Sequence, residues 1–398
     1  MIPTSIYIHV PFCIHRCGYC DFNTYAGQQE LIPAYTRALY TEIKYLGRSD
    51  TSRKLPVHTV FFGGGTPSLL PIENLAAITN SLDHAFDLQP ELEITLEANP
   101  GTLSRNYLSD LHKLGVNRLS LGVQSANPGE LRLLERQHSY EDVIHSVTWA
   151  RQAGFDNLNL DLIFGLPYQT LRGWQNTLNL AVALHPEHFS IYALTLEHGT
   201  PFGNWARRGL LEEPDGDLAA EMYEWASERL ENAGYEQYEI SNWAHNLQER
   251  SFACRHNLQY WQNQPYLGLG AGAHGYASRM RTVNVLSPTA YIRRFNSTEA
   301  KEVNYEFPLT PATQSAARVE PDDEMGETMM MGLRLVKEGV SDINFSARFG
   351  VPLQQKYGKQ IERLVKIGLL EWAGDHHERL RLTQWGRLLG NQAFMEFV

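Results

Sequence analysis

Four short stretches in the first 240 residues alternate apolar and polar positions. In Ser5–Val10, Ile6, Ile8 and Val10 share one face, and Ser5, Tyr7 and His9 share the other. Glu91–Ala98 sets Leu92, Ile94 and Leu96 against Glu93, Thr95 and Glu97. Arg118–Val123 opposes Leu119, Leu121 and Val123 to Arg118, Ser120 and Gly122, and Asn157–Ile163 opposes Leu158, Leu160 and Leu162 to Asn157, Asn159 and Asp161. A period of two predicts strands. Val57–Phe62 and His188–Leu194 read as two more. Between the six strands, Ile32–Tyr45, Ile72–Asp83, Ser104–Leu114, Tyr140–Ala153 and Leu171–Leu184 read as helices. Regular alternation of strand and helix predicts an α/β fold with a parallel sheet. Six units rather than eight predict a partial, TIM-like (β/α)6 barrel. Its apolar faces would pack on the helices and its polar faces would line a ligand chamber. A sheet with one solvated face would alternate too, but the helix at every crossover favours the barrel. The functional rim of such a barrel lies at the C-terminal ends of its strands.

The remainder reads differently. Asp322–Leu335 predicts a helix with Met325, Met329 and Leu333 on one face, best taken as core. Phe345–Phe349, Leu353–Ile367, Leu369–Trp372, Leu380–Thr383 and Trp385–Phe394 predict helix, helix, hairpin, helix, the order of a winged helix. The expected domains are a barrel over 1–240, a connecting segment over 241–310, and a smaller C-terminal α+β winged-helix-like domain over 311–398. Leu267–Gly275 is glycine-rich like a dinucleotide fingerprint, but no βαβ context is evident. It reads as a tightly packed segment, with His274 a minor candidate ligand.

Composition excludes several classes. The 398 residues are 43% hydrophobic and 20% charged, as in ordinary globular proteins. No apolar run approaches the roughly 18 residues of a membrane span. A net charge of −11 argues against broad nucleic-acid binding. Arg379, Arg381 and Arg387 form a small basic cluster, read as part of a lid or docking module rather than a DNA contact. No leader pattern opens the sequence, so a cytoplasmic location with reduced thiols is expected.

Three of the four cysteines stand within eight residues, as Cys13-x3-Cys17-x2-Cys20. Three thiolates on one loop can hold three irons of a [4Fe–4S] cluster and leave the fourth open. Zinc is the rival, with His9, His15 or Cys254 as fourth ligand, although zinc motifs usually pair their cysteines at two sites. This loop follows the first strand, and Gly63-Gly64-Gly65-Thr66-Pro67 follows the second. Glu97, Gln124 and Asp161 close the third, fourth and fifth. The glycines allow a ligand close approach, and their amides are expected to bind it by hydrogen bonds or carboxylate capture, with a tight strand-to-helix turn as the alternative. Glu97 and Asp161 suit ribose hydroxyls or an amino group, and Arg136 offers a fork for a carboxylate.

The cysteine spacing resembles that of the radical S-adenosylmethionine (SAM) superfamily, and the glycine run resembles its GGE-like motif. Tyr7, Gly64, Gly65, Thr66, Glu97, Gln124, Arg136 and Asp161 fall, in order and nearly in spacing, on SAM-contacting positions of the oxygen-independent coproporphyrinogen III dehydrogenase family and its close relatives. The resemblance implies that Tyr19 also bounds the SAM pocket. It further implies that SAM chelates the open iron and that one electron cleaves it to methionine and a 5′-deoxyadenosyl radical. Two features separate this sequence from the dehydrogenase branch, which carries a further cysteine where Phe22 stands and a long N-terminal extension.

Cys254-Arg-His256-Asn257-Leu-Gln-Tyr260-Trp261 resembles instead the HNxxYW string of the haem-chaperone, HemW-like branch. That implies haem as a cofactor, His256 as axial ligand, and Asn257, Tyr260 and Trp261 beside the macrocycle. Cys254 reads as a buried thiol, with closure of the cluster or thiolate ligation of haem as alternatives. The implied partners are a haem-accepting client protein and an electron donor such as a flavodoxin or ferredoxin. A homodimer stays open, and enzymatic turnover of coproporphyrinogen is not expected.

Overall fold

The computed structural model describes residues 3–47, 54–247, 250–296, 305–374 and 378–398. The chain divides into two compact units, residues 1–229 with 265–317, and residues 230–264 with 318–398. The expected connecting segment 241–310 is thus split. Its first part, with the His256 helix, belongs to the second unit, and its glycine-rich part to the first.

The first unit holds all six expected strands: β1 (Thr4–Val10), β2 (Pro56–Gly64), β3 (Asp87–Ala98), β4 (Arg118–Gln124), β5 (Leu158–Phe164) and β6 (His188–Ala193). Each pairs in parallel with the next. The connecting helices include α1 (Ile32–Leu46), α2 (Ile72–Ala85), α3 (Arg105–Lys113), α4 (Tyr140–Ala153) and α5 (Leu171–Val182). Local chemistry sets their ends. Ser139 and Asp142 form a reciprocal capping box at the start of α4, and Gly154 closes it in the left-handed conformation.

The alternation resolves as the sequence predicts. Ile6, Ile8, Val10, Leu119, Leu121, Val123, Leu158, Leu160 and Leu162 are fully buried. Each such side chain contributes roughly 1.5–3 kcal/mol. The opposite faces meet in a polar network. Ser120 Oγ donates to Asp161 Oδ2 at 2.8 Å, and Asn159 Nδ2 donates to Asp161 Oδ1 at 2.8 Å. His188 Nδ1 lies 2.6 Å from Asn159 Oδ1.

The glycine-rich stretch is a strand, which the sequence reading did not recognise. β7 (Tyr266–Leu269) pairs in parallel with β1, so the sheet runs β6-β5-β4-β3-β2-β1-β7 and continues antiparallel through β8 (His274–Ala277) and β9 (Met280–Asn284). Close approach explains the composition. Gly270 has φ +94°, and a Cβ there would lie 2.5 Å from the Tyr35 hydroxyl. Glu42 on α1 fastens this segment. It is fully buried and accepts from Tyr291 Oη (2.6 Å), Gly270 N (2.8 Å), Asn284 Nδ2 (2.9 Å) and Thr310 Oγ1 (3.0 Å). Burial still pushes its carboxyl up to about 7.

The second unit carries the winged-helix order. Helices Asp342–Phe349 and Leu353–Lys366 precede an antiparallel sheet in which Arg379–Leu382 lies between Val340–Ser341 and Leu370–Ala373, and two short helices follow. Met325, Met329 and Leu333 join its core, as expected. Arg381 and Arg387 bond within the unit, to Glu371 and Gln237. Among the described residues, no helix is long and apolar enough to cross a membrane.

Candidate functional site

The cysteine loop leaves β1 through Pro11, and its base is closed where Phe12–Cys13 pairs in parallel with Tyr25–Ala26. Cys13 is buried, and Cys17 and Cys20 are half-buried. Each thiol has an oxygen near it: Thr66 Oγ1 at 3.7 Å from Cys13, Glu135 O at 4.0 Å from Cys17, and Thr24 Oγ1 at 3.9 Å from Cys20. Burial pushes the Cys13 and Cys17 thiols up, and the Arg136 guanidinium pulls Cys17 back down. Such thiols give up their protons to a metal rather than to water.

All three thiols face one cavity of about 520 Å³, within the roughly 300–1,000 Å³ of small-molecule sites. Gly64, Gly65, Thr66, Glu97, Gln124, Arg136 and Asp161 line it, as does Tyr19, whose ring meets Phe202 edge-on. Eight of the nine residues expected to hold SAM therefore share the cysteines' cavity. Tyr7 is the exception. Its hydroxyl lies 3.0 Å from His9 Nδ1 and its ring stacks on Phe61, behind the lining.

The glycine turn works differently from expectation. Gly64 N donates to Glu97 Oε2 at 3.0 Å, Gly65 N to Val10 O at 2.8 Å, and Thr66 N to Phe12 O at 2.8 Å. The amides expected to capture a carboxylate are spent on folding the turn. Gly64 has φ +112°, and a Cβ there would strike the His9 ring at 2.4 Å. The glycines therefore allow close packing of the turn while Gly64 and Gly65 still line the cavity.

Two observations test whether SAM fits. Burial, reinforced by Asp161, pushes the Glu97 carboxyl up to about 8. Burial also raises Asp161. Two carboxyls so placed favour a ligand carrying positive charge, which would restore their ionised forms. Arg136 donates to Gly122 O at 2.8 Å and to Asn99 Oδ1, while its buried Nε has no hydrogen-bond partner. An unspent guanidinium donor suits a carboxylate. An amino acid joined to a sulfonium offers both charges, and the donor set fits.

Zinc fits less well. Both nitrogens of His9 are engaged, with Tyr7 and with Asn23 O at 2.9 Å, and His15 Nε2 is paired with Glu135 at 2.9 Å. Among the described residues, no three His, Cys, Asp or Glu side chains converge as one ion requires.

The His256 segment forms the helix Arg255–Trp261 in the second unit. His256 is 1% exposed and Cys254 is fully buried. His256 Nε2 lies 2.8 Å from the Tyr260 hydroxyl, the two rings meeting edge-on at i and i+4. Arg334 covers the Trp261 ring at 4.3 Å and reaches the buried Glu239 at 3.6 Å. His256 is closed off while Asn257, Tyr260 and Trp261 stay half-buried, and the set does not fit haem as it stands. The predicted axial ligand has neither an open face nor an uncommitted Nε2.

Sequence reasoning missed Glu135, Asn23 and Thr24. Glu135 carries φ +54°, and nothing in its neighbours marks a left-handed position. Asn23 Nδ2 donates to Ala271 O and Leu286 O, more than 240 positions away, a contact that no local pattern encodes.

Comparison with known proteins agrees with this geometry. The Radical SAM superfamily matches residues 7–181, and the HemN C-terminal domain matches residues 319–389. The heme chaperone HemW of Bacillus subtilis is 38% identical over 99% of both chains. That of Lactococcus lactis is 36% identical over 100% of this chain and 97% of its own. Radical S-adenosyl methionine domain-containing protein 1, mitochondrial, of Danio rerio is 34% identical over 90% of this chain and 79% of its own. Among solved structures, coproporphyrinogen III oxidase (HemN) of Escherichia coli superposes with a TM-score of 0.81 at 22% identity, covering 99% of this chain and 90% of that one. That likeness concerns the fold.

Proposed function

The chain belongs to the heme chaperone HemW family, and from that premise we propose that it binds haem and transfers it to a haem-accepting client protein. The observation that carries this reading is the match at more than a third identity along the whole chain to relatives of that name. Cys13, Cys17 and Cys20 would hold a [4Fe–4S] cluster. Tyr19, Gly64, Gly65, Thr66, Glu97, Gln124, Arg136 and Asp161 would surround SAM, with Tyr7 supporting the wall from behind. When bound, the pair supplies one-electron chemistry at an open iron. The residues do the rest. Arg136 orients a carboxylate, Glu97 and Asp161 accept from amino or hydroxyl groups, and Tyr19 and Phe202 shield one side from water. An electron donor of the flavodoxin or ferredoxin kind and a cytoplasmic location accompany this reading.

The rival is oxidative decarboxylation of coproporphyrinogen, favoured by the fold it shares with HemN. Fold alone does not carry activity, and Phe22 occupies the position of that branch's further cysteine. One sample decides. After anaerobic cluster reconstitution, haem titration should give saturable binding near one equivalent, and coproporphyrinogen with SAM and reductant should give no protoporphyrinogen. Binding no better than that of an unrelated protein sinks the chaperone reading.

Ligation by His256, flanked by Asn257, Tyr260 and Trp261, requires the Tyr260 hydroxyl to release Nε2 and the helix to open. Tyr260→Phe then tightens haem binding and His256→Ala abolishes it. Unchanged binding in both places the ligand elsewhere.

A further inference from the structure

The six residues between Cys13 and Cys20 must hold a fixed arc if three thiols are to meet one cluster. Glu135 meets that arc at three points. Its Oε2 accepts from His15 Nε2 at 2.9 Å and from the Gly18 amide at 3.0 Å, and its carbonyl oxygen lies 4.0 Å from Cys17 Sγ. The contacts span 117–120 positions of sequence. The His15 pair is partly exposed and weak by itself. The carboxylate–amide bond is charge-assisted and fixes backbone.

Glu135 is also held at φ +54°, a left-handed conformation that is strained for a residue with a Cβ. Glycine would avoid that strain. The left-handed turn is what brings the carbonyl and the carboxylate of one residue to the same loop, while Leu134 stays buried on one side and Arg136 enters the cavity on the other.

We propose that Glu135 is the positioning residue of the iron–sulfur site, clamping the His15–Gly18 arc and placing a negative charge beside the Cys17 ligand. The proposal rests on the reading that the three cysteines hold a cluster. Outer partners of metal ligands typically change metal affinity about 10- to 100-fold when removed. After reconstitution, Glu135→Ala and Glu135→Gly should therefore lose iron and sulfide to a chelator about 10- to 100-fold faster than the parent. Glu135→Gln keeps an acceptor for the Gly18 amide and should fall between. Its cluster midpoint potential should shift upward, because a nearby negative charge disfavours reduction.

Glu135→Gly separates this role from a plain contribution to folding. It relieves the backbone, so the cluster-free protein should melt at or above the parent temperature while its cluster is the more labile. Parent-like iron loss in Glu135→Ala and Glu135→Gly, with an unmoved potential in Glu135→Gln, overturns the proposal. A parent protein that takes up no iron or sulfide overturns the cluster reading itself, a separate and earlier failure.

Discussion

The cysteine rim of the first unit and the Arg255–Trp261 helix of the second are both dense in residues that bind metals or flat cofactors, yet they are built in opposite ways. At the rim, three thiols, two carboxyls with raised protonation and the Arg136 side chain line a cavity of about 520 Å³. In the helix, His256 and Cys254 are enclosed and His256 is bonded to Tyr260, although Trp261 Nε1 is buried without a hydrogen-bond partner. Buried polar groups left incomplete toward a cavity point to a ligand, whereas those completed by the protein point to folding or to a state the helix must leave. The rim already opens on a cavity, whereas the enclosed His256 does not.

The largest test removes a thiol. Cys17→Ala should abolish the cluster, measured as iron and sulfide per chain, while haem binding persists if the two regions act separately. Parallel loss of both would break the comparison and tie haem to the rim. Next comes Arg334→Ala, which strips Trp261 of its cation and leaves Glu239 buried beside Asn242 without its counter-charge. Breaking a buried pair costs about 3–5 kcal/mol, less here because the guanidinium is partly exposed. Denaturant unfolding should shift by about 2–3 kcal/mol, with the cluster content unchanged.

His256→Ala should be milder in stability, about 1–2 kcal/mol for the lost bond to Tyr260 and the space left behind. Its value lies in contrast with Tyr260→Phe. A closed, purely structural helix makes both variants less stable and leaves haem affinity alone. A helix that opens to bind makes them move haem affinity in opposite directions.

What was legible in the sequence followed the same division. Period-two alternation located β1, β3, β4 and β5 and named the faces expected to line the chamber, and strand-like composition supplied β2 and β6, because each strand is read locally. Residues that gather at the strand ends, such as Glu97, Gln124 and Asp161, follow from that topology. The seventh parallel strand was missed because Tyr266–Leu269 is short and contains Gly268, and because its pairing with β1, at the far end of the sequence, has no local signal. The use of the Gly64 and Gly65 amides was misread for a related reason. Composition shows that a backbone can approach something, not whether that something is a ligand or the neighbouring strand. The enclosure of His256 depends on Tyr260 and on its packing, which a motif string does not display.

The subtlest test compares two glutamates within the first unit. Glu42 and Glu97 both carry raised protonation, up to about 7 and about 8. Glu42 has four donors and no cavity, whereas Glu97 has the Gly64 amide and faces the site. For each, the folded state holds its proton above the ordinary carboxyl range near 4.5. The stability that each contributes is therefore full below about pH 4.5 and is lost as pH rises through about 7 for Glu42 and about 8 for Glu97. The cluster-free protein should melt progressively lower from pH 5 to pH 8 as far as these groups decide it. Glu42→Gln should flatten that slope only below about pH 7, and Glu97→Gln should flatten it all the way to about pH 8. A cationic ligand such as SAM should cancel only the Glu97 part, because only that carboxyl can meet it. Ligand-independent slopes in both variants would place Glu97 with Glu42, as a group that serves the fold alone.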